Sequence, residues 1–131
     1  MYGINQRVVP QVRDPAGGAK KGSDKSEPFF MYYIYIIYSE HAHNYYVGYT
    51  TDPQRRLIEH NTNPHNTYTS KHRPWVMKAL FESGMSESQA IIIERFIKKQ
   101  KSRKLIEMLC NPGFIPVGKL IQLVRVPYVR D

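Results

Sequence analysis

Two tyrosines, an arginine and a histidine in this chain are spaced in a way that suits phosphodiester chemistry. Tyr35 ends the tripeptide YIY, Tyr46 begins the tripeptide YVG, and Arg56 and His60 follow four residues apart. Phenols and imidazoles can transfer protons, and a guanidinium binds phosphate oxygens through two parallel hydrogen bonds. Two strands and one helix could bring these groups to one spot, equipped to attack a phosphodiester.

The two tyrosines lie in segments that favour strands. Tyr35 alternates with Tyr33 on one face of the first strand, and Tyr46 shares a face of the second strand with Gly48, so two phenols can meet across a hairpin. A buried strand tyrosine is usually a packing residue whose hydroxyl is satisfied, and either tyrosine alone would indicate only a core. Their combination with Arg56 favours a site.

Arg56 and His60 share one face of the predicted helix because they are four residues apart. Arg55 points about 100° away around the helix and can pair with Glu59, so Arg55 has a surface explanation and Arg56 does not. His60 without its neighbours would equally be a solvated imidazole. The pair therefore indicates phosphate binding by Arg56, with His60 beside it.

Glu94 lies in an apolar helical segment beside Ala90, Ile91 and Ile97. Burying a carboxylate is costly unless a cation or hydrogen bonds hold it. A surface pair with Lys98, worth only about 0.3 to 0.5 kcal/mol, is the simple alternative. We favour Glu94 as an oxygen ligand of a hard cation, Mg²⁺ or Mn²⁺, which accepts one protein carboxylate and keeps several waters.

Basic residues follow this glutamate closely and suit the phosphates of a nucleic acid, although a solvated helix face explains them nearly as well. Glycine within the second strand indicates close approach of another backbone or a ligand. The predicted nucleic-acid contacts are Gly48, Lys71, Lys98, Lys99, Lys101, Arg103 and Lys104. The remaining histidines, His41, His43, His65 and His72, have no convincing metal spacing.

The composition predicts one small domain that is attracted to polyanions. The chain has 131 residues, 41% of them hydrophobic, and a net charge of +8, which suits nucleic acid or an anionic membrane surface. The single Cys110 excludes an internal disulfide framework and a four-cysteine zinc site, so a reducing cytoplasm is expected. No apolar run approaches the roughly 18 residues that span a bilayer, so no membrane association is expected.

Turn and capping signals divide the chain into elements. Asp52 can cap a helix that has proline at its first position, and Ser86 can cap a second. The predicted strands are Tyr32–Tyr38, Asn44–Tyr49 and Trp75–Phe81, and the predicted helices are Pro53 to about Asn61, a long helix after Ser86, and Arg103–Cys110. We expect residues 1–30 to be a disordered tail or an overextended reading frame, 31–110 to be the domain, and 111–131 to be a tail.

The segments MYYIYIIYS, YYVGYTTDPQRRLIEHN and YTSKHRPW, with the stretch from Glu94 to Lys104, resemble the GIY-YIG endonuclease family. The resemblance is greatest to its small stand-alone bacterial members, which are related to the nuclease module of UvrC-type repair proteins. It covers about residues 31–110. It implies an α/β (α+β) fold, in which a small antiparallel sheet of three strands is flanked by helices, and hydrolysis of DNA with one divalent cation.

The resemblance also implies roles for individual residues. Tyr35 and Tyr46 correspond to the tyrosines of the two name-giving tripeptides, and one of them would activate water, directly or through the metal; which one is left open. Arg56 would stabilise charge on the phosphate, and His60 would orient a tyrosine or relay a proton. Glu94 corresponds to the metal-binding glutamate.

Three positions depart from the family pattern. Tyr33 replaces the glycine of the first tripeptide, and the second tripeptide reads YVG with Val47 at its centre; both changes look mild because strand character and both phenols remain. Tyr49 follows Gly48 where the repair-nuclease branch tends to have lysine, so one proposed activator of the base is absent. The short tails leave no room for an appended binding domain, and we therefore expect structure-selective or weakly specific cleavage.

Three functions remain for comparison with the structure. The first is a metal-dependent DNA endonuclease of repair or recombination, which a partner protein would recruit. The second is a DNA- or RNA-binding module that has the same scaffold without turnover. The third is a protein adaptor with an exposed aromatic face.

Overall fold

Four strands and three helices form the described part of the chain, which comprises residues 30–65 and 67–127 of this computed structural model. They are β1 (Tyr32–Ser39), β2 (Asn44–Thr50), α1 (Pro53–Thr62), β3 (Trp75–Gly84), α2 (Glu87–Gln100), α3 (Arg103–Cys110) and β4 (Val124–Arg125), with 3-10 turns at Thr69–Lys71 and Gly118–Leu120. The expected disordered or overextended tail, residues 1–30, lies outside this part except for Phe30. None of the described helices is long and apolar enough to cross a membrane.

The predicted capping residues begin the helices. The Asp52 side chain accepts a hydrogen bond from the Arg55 amide at the start of α1, where Pro53 occupies the first turn. Ser86 accepts one from the Gln89 amide at the start of α2. The strands and helices given above confirm the mixed α/β class, and each predicted helix is present.

The four strands form one antiparallel sheet in the order β2-β1-β3-β4. The prediction of three strands was wrong by one, because β4 pairs Val124 with Glu82 and Arg125 with Phe81. Two residues are too short to produce a periodic signal. Arg125 secures the strand, since its guanidinium donates to the carbonyls of Leu109 and Asn111 and lies 4.7 Å from the centre of the Phe81 ring.

The sheet separates two apolar clusters. Helices α2 and α3 cover one face through Ile93, Ile97 and Ile106. Leu57 of α1 helps cover a smaller cluster on the other face, which consists of Tyr35, Ile37, Tyr46, Trp75 and Leu80. Tyrosines make up a large part of this second cluster, so the hydroxyls of Tyr35 and Tyr46 are brought into the core together with the rings.

Gly48 lies directly opposite Tyr35 in the β1–β2 register. A Cβ atom built on Gly48 would be 2.4 Å from the Tyr35 hydroxyl oxygen and 2.5 Å from its Cζ. Glycine thus leaves the space that the Tyr35 ring occupies. The close approach predicted at this position is made by a side chain, and neither a second backbone nor a ligand is needed to explain the glycine.

We predict that Gly48→Ala destabilises the protein by about 1 to 3 kcal/mol, because the added methyl group overpacks a filled core. Gly113→Ala is the matched control, since its Cβ would meet only Asn111 Oδ1 at an ordinary 3.6 Å. Urea unfolding of both variants measures the difference. Equal free energies of unfolding for the two variants would show that the Tyr35 ring can move away from Gly48 without cost.

Candidate active site

Three buried polar side chains form a continuous hydrogen-bonded chain beneath α1. The Tyr35 hydroxyl of β1 lies 2.8 Å from His60 Nε2, and His60 Nδ1 lies 2.9 Å from Thr69 Oγ1. Tyr35, His60 and Thr69 are only 1%, 4% and 6% exposed. The structure therefore brings the predicted phenol and imidazole into direct contact, and it adds a threonine that the sequence reasoning did not include.

His60 is a neutral imidazole at physiological pH. Burial, followed by the positive charges of Arg56, Arg73 and Lys98, lowers its pKa from 6.5 to about 3. A neutral imidazole carries one N–H donor and one acceptor nitrogen. His60 can therefore accept a proton at one ring nitrogen while it donates from the other.

Tyr46 supplies a second phenol against the same imidazole. Its ring centre is 5.0 Å from that of His60 and 6.5 Å from that of Tyr35. Burial raises the pKa of Tyr46 well above 10, the neighbouring Tyr35 and Glu94 raise it further, and Arg56 partly opposes them. Tyr46 therefore keeps its proton more firmly than a solvated tyrosine.

Arg56 lies beside both phenols with a side chain that is 11% exposed. Its Nη1 donates to one oxygen of Glu59 at 2.6 Å, and Arg55 donates to the other oxygen at 2.6 Å. The expected Arg55–Glu59 pair is confirmed, but the inference that Arg56 had no such partner was wrong, because i,i+3 spacing also reaches Glu59.

Arg56 remains charged although it is largely buried. Burial lowers its pKa, but the neighbouring Tyr35 and Tyr46, with the hydrogen bond and the charge of Glu59, outweigh this effect, so the pKa is raised. Its Nε atom is buried and has no hydrogen-bond partner in the described structure. The guanidinium thus retains donor capacity that Glu59 does not use.

Glu94 and Lys98 form a buried ion pair at the same site. Lys98 Nζ is 3.1 Å from Glu94 Oε2, and the two side chains are only 14% and 9% exposed. The same ammonium lies 5.3 Å from the centre of the Tyr46 ring. The Glu94–Lys98 pair is therefore buried, and the alternative of a surface pair is wrong. Burial lowers the pKa of Lys98, and Glu94 opposes this shift.

The donor atoms near Glu94 suit a hard cation better than zinc. No group of three or more His, Cys, Asp or Glu side chains that could hold a metal occurs among residues 30–65 and 67–127. A tetrahedral zinc site needs such a set of nitrogen and sulfur ligands. One buried carboxylate beside a phenol fits Mg²⁺ or Mn²⁺, whose remaining positions take water or substrate oxygens.

The other predicted nucleic-acid contacts occupy different environments. Exposed lysines on the surface are Lys71, Lys99, Lys101 and Lys104. Arg103 donates to the His43 carbonyl and lies 5.1 Å from the Tyr45 ring centre. Gly48 is buried beneath the Tyr35 ring, and Lys98 points to Glu94. Lys71 lies two residues from Thr69, and the other three exposed lysines lie at the end of α2 and in α3.

Thr69 and Arg73 were missed because they lie in a segment that the sequence predicted only as a polar loop. Arg73 Nε donates to the carbonyl of His60 at 2.8 Å, and the Trp75 indole donates to the carbonyl of Thr69 at 2.8 Å. Such contacts do not produce a periodic pattern of hydrophobic residues, so the sequence pattern did not indicate them. The one sequence signal was that the segment YTSKHRPW belonged to the family resemblance.

We predict that the free energy of unfolding falls as the pH is lowered from about 6.5 to about 3. The unfolded protein binds a proton at His60 near pH 6.5, whereas the folded protein resists it until about 3, so acid favours unfolding. The full effect is on the order of 4 kcal/mol. Urea unfolding across this range, compared between wild type and His60→Gln, isolates the contribution, which the variant should lose.

The matches to known proteins agree with this geometry. The GIY-YIG catalytic domain matches residues 31–107. A UPF0213 protein of Halobacterium salinarum is 40% identical over 79 residues, which are 60% of this chain and 99% of that protein. UPF0213 proteins of Streptococcus pneumoniae and Enterococcus faecalis are 33% and 34% identical, over 59% and 56% of this chain and 76% and 89% of theirs. This chain belongs to the GIY-YIG family.

Proposed function

We propose that this protein is a divalent-metal-dependent endonuclease that hydrolyses phosphodiester bonds in DNA with structure selectivity or weak specificity. The observation that carries the proposal is the hydrogen bond between Tyr35 and a neutral His60, close to Arg56 and the Glu94 carboxylate. Membership of a catalytic-domain family supports nuclease activity. The UPF0213 designation of its relatives specifies no activity, so the reaction is argued from the side chains.

Tyr35 is the better of the two candidates for the general base. Its hydroxyl contacts an imidazole nitrogen that would accept a proton in one of the two neutral tautomers, whereas burial, with Tyr35 and Glu94, raises the pKa of Tyr46 well above 10. Water would transfer a proton to the Tyr35 oxygen while Tyr35 passes its own to His60. Burial and nearby cations keep His60 neutral in the free protein, so this step would require the negative charge of a bound phosphodiester to raise the pKa of His60. Tyr46 would act as a hydrogen-bond donor.

Arg56 would bind the reacting phosphate and stabilise the charge that develops on its oxygens. Its guanidinium stays charged, and planar donors match phosphate geometry. Glu59 holds Arg56 in the free protein through a single bond at Nη1. Since Arg55 bonds the other oxygen of Glu59, that carboxylate keeps a partner if Arg56 turns towards DNA.

Glu94 would hold Mg²⁺ or Mn²⁺, which would neutralise phosphate oxygens during the reaction. The surface lysines Lys71, Lys99, Lys101 and Lys104 would contact neighbouring backbone phosphates, which carry no sequence information. Repair or recombination in the cytoplasm, with recruitment by a partner protein, is part of the same proposal. Residues 31–110 would form its catalytic domain.

A nucleic-acid-binding module without turnover is the second candidate, for DNA or RNA. Two observations favour it. Lys98 already neutralises Glu94, and Tyr49, which stands where the repair-nuclease branch tends to have lysine, donates its hydroxyl to Glu87. Salt-sensitive binding without product would support this candidate over the nuclease.

We predict that the full chain cleaves nicked, flapped or branched DNA with Mg²⁺, and that Glu94→Gln lowers the rate by at least about 100-fold, as loss of transition-state charge stabilisation does. Glu107→Gln, which changes an exposed carboxylate on α3, is the control and should retain the wild-type rate. Single-turnover cleavage of labelled DNA, with and without chelator, provides the measurement. Cleavage that is equal in Glu94→Gln and wild type would refute the nuclease mechanism.

A further prediction concerns Lys98. Lys98→Met should destabilise the metal-free protein by about 3 kcal/mol, because it removes the ammonium that forms an ion pair with the buried Glu94 carboxylate. Added Mn²⁺ should restore much of the lost stability, because the cation replaces the ammonium at Glu94. Lys99→Met removes the same charge from an exposed neighbour and is the control. Thermal unfolding with increasing Mn²⁺ measures both effects, and an equal Mn²⁺ response in the two variants would contradict the prediction.

A further inference from the structure

Thr69 holds the side of His60 that faces away from Tyr35. The Thr69 hydroxyl lies 2.9 Å from His60 Nδ1, while Nε2 faces the Tyr35 hydroxyl at 2.8 Å. Both contacts are buried, so water does not compete for either nitrogen. The two oxygens therefore decide between them which ring nitrogen carries the proton.

Only one of the two neutral tautomers lets His60 take a proton from Tyr35. If Nδ1 carries the proton and donates it to Thr69, then Nε2 presents a lone pair to the phenol. If Thr69 donates to Nδ1 instead, Nε2 carries the proton and the imidazole cannot accept one from Tyr35. The direction of the Thr69 hydroxyl therefore decides whether the Tyr35–His60 pair can relay a proton.

The surroundings of Thr69 favour its acceptor role. Thr67 Oγ1 lies 3.4 Å from Thr69 Oγ1, a long contact that offers the Thr69 proton a direction away from the imidazole. The Trp75 indole donates to the Thr69 carbonyl and fixes the 3-10 turn. Threonine is also stiff at χ1, so the hydroxyl oxygen is held in position before any substrate binds.

We propose that Thr69 is a positioning residue that keeps His60 protonated at Nδ1, with an unprotonated Nε2 facing Tyr35. Its catalytic consequence rests on the proposed nuclease function. The tautomer itself is a property of the DNA-free protein, so it can be measured whether or not the protein cleaves DNA.

The test is ¹⁵N NMR of the histidine rings in the full chain at neutral pH. Wild type and Thr69→Ser should show a His60 ring with a protonated Nδ1 and a bare Nε2. Thr69→Val keeps the shape of threonine but cannot accept, so its His60 should shift to the Nε2-protonated tautomer or to a mixture. Thr62→Val, which removes a hydroxyl from the exposed end of α1, is the control and should match wild type.

Cleavage kinetics test the consequence separately. Thr69→Val should lower kcat by about 10- to 100-fold, the loss seen when a partner that orients a functional histidine is removed. KM for DNA should stay unchanged, because Thr69 is buried, and Thr69→Ser should restore kcat.

The outcomes separate the two proposals. A wild-type His60 that is protonated at Nε2, or one that Thr69→Val leaves unchanged, would overturn the role of Thr69. The wild-type result does not depend on whether the variant folds. The expected tautomer change in a protein that cleaves no DNA would support the positioning role and refute the nuclease.

Discussion

The close packing of the Tyr35 ring against the backbone of Gly48 is the constraint on which this site depends. No other residue at position 48 leaves the space that the phenol fills, because a Cβ there would overlap the ring atoms. With the ring packed against β2, the Tyr35 hydroxyl lies within hydrogen-bonding distance of His60 on α1. Backbone pairing of β1 with β2, side-chain packing and the proton-transfer geometry are therefore parts of one arrangement.

The second feature of the site is the concentration of buried charge and polarity around two phenols. Arg56 is held by Glu59, Lys98 is held by Glu94, and His60 stays neutral because burial and nearby cations oppose its protonation. Buried ion pairs contribute little net stability, since desolvation offsets their attraction. Both pairs lie close to the phenols, with Lys98 Nζ 5.3 Å from the centre of the Tyr46 ring.

The two faces of the sheet differ in the side chains that cover them. Aliphatic side chains of α2 and α3 fill one face, where burial of apolar surface drives folding. The opposite face carries the smaller, aromatic cluster, and beside it Arg56 Nε is buried without a hydrogen-bond partner. Glu94 and Lys98 reach this site from α2, the helix whose Ile93 and Ile97 belong to the aliphatic core. One helix thus supports the fold and contributes to the site.

Within residues 30–65 and 67–127, local chemistry was enough to predict every α-helix, three of the four strands and the face shared by Arg56 and His60. Capping by Asp52 and Ser86 and the β-branched and aromatic runs act over a few residues and can be read from the chain. Strand β4 escaped prediction, because two residues pair only where β3 offers a free edge and Arg125 finds distant carbonyls.

The sequence alone determined which residue types are present, their spacing and their resemblance to one family. Tertiary structure alone decided that Thr69 meets His60, that Glu59 serves two arginines and that Lys98 turns to Glu94 rather than to the solvent. Some of these contacts join residues whose spacing along the chain follows no helical or strand period. The others form only because the residues are buried together. Burial changes the energies of charges and protons, and it arises only once the sheet and helices have packed.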